Sequence, residues 1–392
     1  MKKSFIPFSK PDISDREIDA VIDVMKSGWI TTGKKCVEFE RAFEILLGED
    51  IIALAVNSAT AGLHLALEAI GIKSGDEVLV PSLTFTATAE VVRYLDGTPV
   101  LVDVNDETLN IDPDLLRRAI TPRTRAIVPV HYAGLPCNMT EILRIAAEYN
   151  LRVVEDAAHA LPALHHGKLI GSLDSDVTVF SFYANKTMTT GEGGMVVTRQ
   201  PDLAKRMRIM RLHGIDRDAF ARFQSTTPAW YYEVVAPGYK YNLTDIAAAM
   251  GLVQLDRLSA FQTRREYLAQ RYKNSLSTLP LKLPAYGNIA EQHAWHLYVI
   301  RLSDEALADG FDRDGLINHL SAAGIGTSVH YVPLHRQPYW RDSLDIDQNK
   351  FQISEKAYQR MVSIPLYTSM SDSDQDRIIA EIHSFFSKTH KA

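Results

Sequence analysis

The chain has few of the residues that cross-link small secreted proteins. It contains 2 cysteines in 392 residues, Cys36 and Cys137, and no CxxC pair, so a disulfide framework is excluded. No apolar run approaches the roughly 18 residues that a membrane helix needs. The N-terminus also lacks the apolar stretch of a signal peptide. We therefore expect a cytoplasmic protein without a membrane partner.

The chain also has no excess of positive charge. The net charge is −6, so no basic surface argues for nucleic acid as a partner. The chain has neither a GxxxxGK[ST] loop nor a GxGxxG run, which counts against the nucleotide-binding folds that use them. Hydrophobic residues make up 46% and charged residues 23%, as is ordinary for a soluble globular protein. This length is enough for two domains.

Candidate strands and helices alternate through the first part of the chain. Amphipathic segments separate most of the candidate strands, which are Ile51–Val56, Glu77–Val80, Val100–Val104, Ala126–Val130 and Val153–Glu155. Such alternation predicts an α/β protein with a mostly parallel sheet covered on both faces. We expect residues 1–250 to form a large domain and residues 251–392 a smaller C-terminal α+β domain.

Three local predictions concern less regular stretches. Thr327–Tyr331 is interpreted as a strand of the smaller domain, and Gly214–Pro237 as a loop that could move. His165 and His166 precede a glycine, which favours the tip of a hairpin over a metal site. We expect no metal.

One lysine, Lys186, lies in an unusual setting. It follows the candidate strand Val177–Phe180 and precedes the glycine-rich run Thr190–Gly194, which predicts tight turns rather than a helix. Asp156 ends another candidate strand thirty residues earlier. Lysine amines form Schiff bases with carbonyl compounds, and pyridoxal phosphate is the usual partner. Alone, the lysine could lie on the surface and the acid could cap a helix; together they suggest a bound aldehyde cofactor.

Polar and aromatic residues follow several of the candidate strands. Asn57–Ala61 follows the first strand and opens a helix, whose N-terminus could bind phosphate. Taken singly, Ser58 and Thr60 would be a helix cap, Phe85 a core residue and His159 an interior histidine. Their order at predicted strand ends, where α/β sheets bind ligands, favours a functional site.

The chain closely resembles the DegT/StrS family of sugar aminotransferases, which are pyridoxal-phosphate enzymes of fold type I. The resemblance covers nearly the whole length of the chain. Within the family, the chain is most similar to the UDP-4-amino-4-deoxy-L-arabinose and perosamine branches. The matching motifs are Ser27–Gly33, Asn57–Ala61, Gly75–Val78, His131–Gly134, Glu155–His159, Ser181–Lys186, Thr190–Gly194, Gly238–Asp245, His293–Leu297 and Gly326–His330.

The resemblance implies a role for each matching residue. Lys186 matches the lysine that holds pyridoxal 5'-phosphate as a Schiff base, and Asp156 matches the acid that keeps the ring nitrogen protonated; both are expected to be catalytic. The other expected cofactor contacts are Phe85 stacked on the ring, His159 near the ring hydroxyl, Thr60, Ala61 and Ser181 at the phosphate, and Asn242 from the neighbouring subunit. The residues expected to face the sugar are Thr31, His330 and Tyr331.

The resemblance also implies the reaction. L-Glutamate gives its amino group to the cofactor and leaves as 2-oxoglutarate, and a nucleotide-linked keto sugar then receives the amino group from pyridoxamine 5'-phosphate. Ping-pong kinetics and a homodimer with shared active sites are expected. Lys186 must be neutral to react, and a buried, cation-rich site would lower its pKa.

Finer divisions within the family also bear on this chain. Relatives that dehydrate sugars carry histidine in place of the lysine, so Lys186 excludes that branch. Thr189–Gly194 is typical of members that aminate C-4, whereas members acting on C-3 tend toward Tyr-Gly-Asp-Gly-Gly. The nucleotide, the sugar and the pathway stay open. Two other classes are a non-catalytic regulator with this fold and a pyridoxal enzyme outside transamination, such as a decarboxylase or a sulfur-transfer enzyme.

Overall fold

The computed structural model describes residues 4–48, 50–216, 231–287 and 291–387. The helices in these ranges are α1 (Asp15–Ser27), α2 (Lys34–Leu47), α3 (Ala59–Ala69), α4 (Ala87–Arg93), α5 (Pro113–Ala119), α6 (Met139–Tyr149), α7 (Pro201–Met210), α8 (Asp245–Asp256), α9 (Leu258–Leu276), α10 (Asp304–Ala308), α11 (Arg313–Ala322), α12 (Pro338–Ser343), α13 (Gln352–Arg360) and α14 (Asp372–Phe386). The strands are β1 (Ile52–Val56), β2 (Glu77–Pro81), β3 (Thr98–Val102), β4 (Thr124–Ile127), β5 (Arg152–Asp156), β6 (Leu164–His165), β7 (Lys168–Leu169), β8 (Val177–Ser181), β9 (Gly194–Thr198), β10 (Leu281–Lys282), β11 (Tyr298–Leu302) and β12 (Met361–Ile364).

A seven-stranded sheet forms the centre of the larger part of the chain. Its strand order is β1-β9-β8-β5-β4-β2-β3. The strands β3, β2, β4, β5 and β8 are mutually parallel, and β9 runs antiparallel to both β8 and β1. The expected α/β fold with a mostly parallel sheet is confirmed, with β9 as the strand that makes the sheet mixed.

Successive residues of these strands bury themselves on opposite faces of the sheet. In β9, Met195 and Val197 belong to an apolar cluster with Phe39 and Phe180, whereas Val196 belongs to a second cluster with the residues of α3. This alternation follows from the period of two along a strand. Both faces are therefore covered, as a mostly parallel sheet requires.

The first helix begins and ends as its sequence predicts. Ser14 and Glu17 form a capping box at the N-terminus of α1, and Gly28 ends the helix with a positive φ of 76°. The Glu17 carboxylate is buried and accepts hydrogen bonds from Gln254 and Arg257, each over 2.7 Å. These bonds attach α1 to α8 and the residue that follows it.

A second, smaller sheet carries the C-terminal part of the chain. Its order is β10-β11-β12, and α9, α11 and α14 contribute to the apolar cluster beside it. Buried Arg265 on α9 donates to the carbonyls of Trp295 and Leu366, over 3.0 and 3.2 Å. The predicted domain boundary between residues 250 and 251 falls inside α8 and stays a prediction.

One secondary-structure prediction is wrong. Thr327–Tyr331 is not a strand, because only Ser328 pairs there, in an isolated bridge with Ser363. The partner segment Met361–Ile364 is the strand instead, since its side chains are all buried against β11.

Other local predictions have mixed outcomes. His165 and His166 lie at the β6–β7 hairpin, as predicted. Most of the loop predicted at Gly214–Pro237, residues 217–230, lies outside the described residues. Within the described ranges, no helix is both long enough and apolar enough to cross a bilayer.

Candidate active site

A cavity of about 490 Å³ opens at the carboxyl ends of the central parallel strands. This is the edge where ligands of α/β sheets bind. Eight of the residues predicted from the sequence line it, namely Thr60, Phe85, Asp156, His159, Ser181, Lys186, His330 and Tyr331. One wall of the cavity is formed by His330 and Tyr331, which belong to the C-terminal part of the chain. The part that contains the large sheet and the C-terminal part therefore both line the cavity.

The loop between β8 and β9 presents Lys186 to this cavity. Phe182 fixes the base of the loop, because its N–H donates to the carbonyl of Gly193 over 2.9 Å and its carbonyl accepts from Thr190 over 3.0 Å. Gly191 has a positive φ of 80°, which allows the tight return. The lysine therefore extends from a closed loop whose base is held by backbone hydrogen bonds.

The electrostatics of Lys186 favour a reactive amine. Burial lowers its pKa from 10.5 to about 8, and the nearby negative charge of Asp156 opposes that shift. The sequence led us to expect help from neighbouring cations. That expectation is wrong, because burial alone lowers the pKa and the charged neighbour acts in the other direction.

Asp156 ends β5 and is 6% exposed. Its Oδ2 accepts from Thr88 over 2.8 Å, and its Oδ1 accepts from the N–H of Ala158 over 3.1 Å. Burial raises its pKa, while the Thr88 hydrogen bond, the Ala158 N–H and Lys186 lower it. No α-helix begins here, so the alternative that Asp156 caps a helix is not what the structure shows.

A wall of neutral aromatic groups faces Lys186. His159 Nε2 lies 3.0 Å from the Tyr331 hydroxyl, and the ring centroid of His159 lies 4.4 Å from that of His296. Burial and the charge of Lys186 hold the pKa of His159 well below its ordinary value. The same causes lower the pKa of His330 to about 4. These histidines therefore add no positive charge to the cavity at neutral pH.

The start of α3 closes the other end of the cavity. Ser58 caps this helix by accepting from the N–H of Ala61 over 3.1 Å, so the cap reading holds for Ser58. Thr60 and Ser181 still line the cavity beside it. A Cβ on Gly194 would lie 2.9 Å from the nitrogen of Ala59, so glycine is needed for β9 to pass this close. Polar groups and a helix N-terminus thus meet at one point, as a phosphate requires.

The structure leaves three predicted residues out of the cavity lining. Ala61 is buried within α3 and does not line the cavity. Thr31 is exposed and its carbonyl accepts from the N–H of Asp245. Asn242 donates to Thr32 over 2.6 Å and lines a separate, smaller depression. Within one chain, Thr31 and Asn242 are therefore not part of the candidate site.

Several residues of the site were not singled out from the sequence. Tyr183, Asn185 and Glu192 line the cavity, and Thr88 holds Asp156 from α4. The first three lie inside the motif around Lys186, so their proximity in sequence was an available signal. Thr88 had none, because its place depends on how α4 is rotated. Phe85 is 58% exposed at the cavity, so the alternative that it is a core residue is wrong.

A second cluster of possible ligands lies at the β6–β7 hairpin. His165, His166 and Glu291 bring their ligand atoms within 4.8 Å of one another. His165 Nε2, however, accepts from the N–H of Thr140 over 3.2 Å, which places its hydrogen on Nδ1. That Nδ1 lies 2.9 Å from the Glu291 carboxylate. An ordinary histidine–carboxylate contact accounts for this cluster.

The residues of the cavity fit pyridoxal phosphate. A lysine amine with a lowered pKa lies in the same cavity as a buried carboxylate, and a helix N-terminus lies there with the hydroxyls of Thr60 and Ser181. His159 Nδ1 is buried without a hydrogen-bond partner in the described part of the chain. Such an unpaired buried group is costly unless a ligand completes its hydrogen bonding.

Comparison with known proteins finds matches that cover nearly the whole chain. The sequence pattern of the DegT/DnrJ/EryC1/StrS aminotransferase family matches residues 11–383. The spore coat polysaccharide biosynthesis protein SpsC of Bacillus subtilis is 44% identical over 382 residues, which is 97% of each chain.

Solved structures extend the comparison to the fold. The putative sugar aminotransferase Spr1654 from Streptococcus pneumoniae, in its PMP form, superposes with a TM-score of 0.90 at 35% identity, over 98% of this chain and 100% of that one. A PLP form of the same protein is also similar, with a TM-score of 0.88. Helicobacter pylori PseC, an aminotransferase involved in pseudoaminic acid biosynthesis, has a TM-score of 0.88 at 27% identity, over 98% and 100% of the two chains.

Proposed function

We propose a specific reaction for this chain, which belongs to the DegT/DnrJ/EryC1/StrS aminotransferase family. The chain is a pyridoxal-phosphate-dependent transaminase that acts on sugars. We infer that it moves an amino group from L-glutamate to C-4 of a nucleotide-linked 4-keto sugar. The product would serve cell-surface polysaccharide or related amino-sugar synthesis, as the name of SpsC suggests for that relative.

The geometry around Lys186 and Asp156 supports this reaction best. When bound, pyridoxal phosphate supplies an aldehyde that exchanges amino groups and a ring that withdraws electrons. Asp156 would hold a proton on the ring nitrogen, because its buried carboxylate accepts a hydrogen bond from Thr88 that lowers its pKa against the larger effect of burial. Lys186 Nζ would anchor the aldehyde and then carry the proton to and from the substrate carbon.

The remaining lining residues would orient the cofactor and substrates. Thr60 and Ser181, with the N-terminus of α3, would bind the phosphate. Phe85 would pack on the ring and His159 would donate to the ring oxygen. His330 and Tyr331 would contribute to the wall on the sugar side. Because the same lysine serves the donor and the acceptor, the two substrates would react in turn.

The run Thr189–Gly194 supports amination at C-4. Glu192 and Gly193 line the cavity, so this motif borders the space that a substrate would fill. Incubation with L-glutamate and a panel of UDP-, GDP- and dTDP-linked 4-keto sugars should give an aminated product detectable by mass. NMR of that product should place the nitrogen on C-4. Nitrogen on C-3 would assign the chain to the family's other branch.

We also propose a homodimer in which Asn242 reaches the partner's cofactor phosphate. Asn242 lies outside its own chain's cavity, beside the exposed basic residues Lys205 and Arg208. An amide in this place would add neutral donors to an anion site. Thr31 is exposed and also lies outside this cavity, and it would face a sugar bound in the partner's site.

The described geometry disfavours a sulfur-transfer enzyme. Such an enzyme needs a reactive cysteine, and the thiolate is the reactive form. Cys36 and Cys137 are both buried, and burial raises the pKa of each thiol. Neither cysteine lines the cavity of Lys186. A regulator without catalysis would give no amino sugar in the assay described above.

A further inference from the structure

The wall opposite Lys186 contains one hydrogen bond whose direction can be worked out. Tyr331 Oη and His159 Nε2 are 3.0 Å apart. His159 is 5% exposed, and burial together with Lys186 holds its pKa well below the ordinary value. The imidazole is therefore neutral near pH 7, so only one of its two nitrogens carries a hydrogen.

Chemistry decides which nitrogen carries it. A phenol is a better hydrogen-bond donor than a neutral imidazole N–H, and an imidazole nitrogen is a better acceptor than a phenol oxygen. Burial raises the pKa of Tyr331 far above 10, so its hydroxyl keeps the hydrogen. The favoured arrangement has Tyr331 O–H donating to Nε2, which places the histidine's own hydrogen on Nδ1.

This arrangement leaves a donor without a partner inside the protein. His159 Nδ1 is buried and makes no hydrogen bond to any described residue. A buried N–H of this kind is costly unless an acceptor completes it. His159 lines the cavity together with Lys186 and Asp156, where the cofactor ring would lie. The ring oxygen of pyridoxal phosphate is an acceptor of the right chemistry.

We propose that Tyr331 is a positioning residue that acts through His159: its hydroxyl fixes the imidazole in the Nδ1–H form that donates to the cofactor's ring oxygen. This inference rests on the proposed cofactor site and deepens it. It assigns Tyr331 a role in orienting His159 toward the cofactor, whereas the resemblance places Tyr331 only near the sugar.

Cofactor binding to the full-length, cofactor-free chain tests the proposal. His159→Ala and Tyr331→Phe should each weaken the Kd for pyridoxal phosphate about 10-fold, the usual loss for a hydrogen bond to a charged group. The double variant should be no weaker than His159→Ala, because Tyr331 acts only through that histidine. Independent losses that multiply to about 100-fold, or a Tyr331→Phe variant with an unchanged Kd, would overturn the proposal.

An analogue of pyridoxal phosphate without the ring hydroxyl provides a second readout. Tyr331→Phe and the unaltered chain should bind this analogue equally well, because the acceptor is missing. A persisting difference would show that Tyr331 serves some other group. Tyr132→Phe is the matched control, since Tyr132 donates to the carbonyl of His330 and not to His159. An equal loss in that variant would mean general loosening of the wall and would also overturn the proposal.

These measurements use no sugar and no amino donor. A wrong nucleotide, sugar or carbon position in the proposed reaction would leave every one of them unchanged. The tautomer can also be read directly, because ¹⁵N shifts separate the two nitrogens of a labelled histidine. We expect Nδ1–H at His159 in the unaltered chain. A dominant Nε2–H form would contradict the assignment.

Discussion

Thr88 on α4 donates its hydroxyl hydrogen to the carboxylate of Asp156, which ends β5, over 2.8 Å. Helix and strand are far apart in sequence, and this bond is one of the contacts that lower the pKa of Asp156 against the effect of burial. The charge of the proposed ring-binding acid is therefore set in part by a residue that does not itself line the cavity.

The first prediction concerns this bond. Thr88→Val should raise the pKa of Asp156, lower turnover about 10-fold and move the acidic limb of the pH–rate profile upward. Thr88→Ser keeps the hydroxyl and should behave like the unaltered enzyme. If Thr88→Val shows an unshifted profile, Asp156 does not depend on this donor.

The second prediction concerns the proposed catalytic lysine. Lys186→Ala should lose the visible absorbance of lysine-bound cofactor and at least about 10²–10⁴-fold of turnover, while its thermal unfolding stays close to that of the unaltered chain. Lys168→Ala removes an exposed lysine on the β6–β7 hairpin and serves as the control. Full turnover in Lys186→Ala would mean that another residue carries the chemistry.

The third prediction is a pH dependence. Cofactor attachment needs a neutral amine, and the pKa of Lys186 is about 8. The rate of cofactor uptake by cofactor-free enzyme should therefore rise as the pH passes through about 8 and level off above it. Asp156 raises this pKa, so Asp156→Asn should move the midpoint to lower pH. A midpoint near 10.5, the ordinary lysine value, would contradict the burial effect.

The fourth prediction tests the shared site. Lys186→Ala and Asn242→Ala subunits should each be impaired alone. A mixed dimer places both lesions in one site and leaves the other intact, so mixing should restore part of the activity. The alternative is that Asn242 acts only within its own chain, where it bonds to Thr32. Proven subunit exchange without recovery of activity would favour that alternative.

The fifth prediction concerns stability. His131 and Glu155 are both fully buried, and their Nε2 and Oε2 atoms lie 2.9 Å apart. Although burial is the largest influence and raises the pKa of Glu155, hydrogen bonds from His131, Ser175 and Thr178 lower it overall. His131→Ala should cost about 3–5 kcal/mol in the free energy of unfolding at pH 7, because it removes the histidine partner of a buried carboxylate and leaves only the Ser175 and Thr178 hydroxyls.

The stability that His131→Ala loses should depend on pH in a definite direction. The folded-state pKa of Glu155 lies below the unfolded value, so the stabilisation is complete above about pH 4.3 and is lost as the pH falls through the folded value. Urea unfolding at pH 7 and at progressively lower pH should show the difference between the two chains shrinking. Arg117→Ala, which breaks an exposed ion pair with Glu148, should change little at either pH.

The sequence predicted the central elements of this site because they depend on local patterns. Asp156 and the loop of Lys186 follow strands with strong apolar runs, and the carboxyl ends of parallel strands meet at one edge. Thr88 could not be found in this way, since its contact depends on the rotation of α4. The proposed place of Asn242 at the partner's cofactor phosphate involves a second chain, which no pattern within one chain describes.

The errors have a similar origin. Gly194–Thr198 is not among the strands expected from the sequence, although it forms β9, the antiparallel strand of the large sheet. Its first residue, Gly194, allows the close approach to α3 and continues the glycine-rich run, so the apolar residues after it are not recognised as a strand. Thr327–Tyr331 alternates as a strand would, but it lines the cavity with His330 and Tyr331 instead of continuing a ladder.

The position of β9 also sets the order in which the sheet can be completed during synthesis. In the sheet, β1 pairs with β9 alone, from Ile52 opposite Thr198 to Val56 opposite Gly194. A chain still growing on the ribosome and not yet past residue 198 therefore presents β1 with its ladder hydrogen bonds unmade. Until β9 is available, this apolar strand can pair with a strand of another nascent chain. Pairing with β9 therefore protects β1 from aggregation.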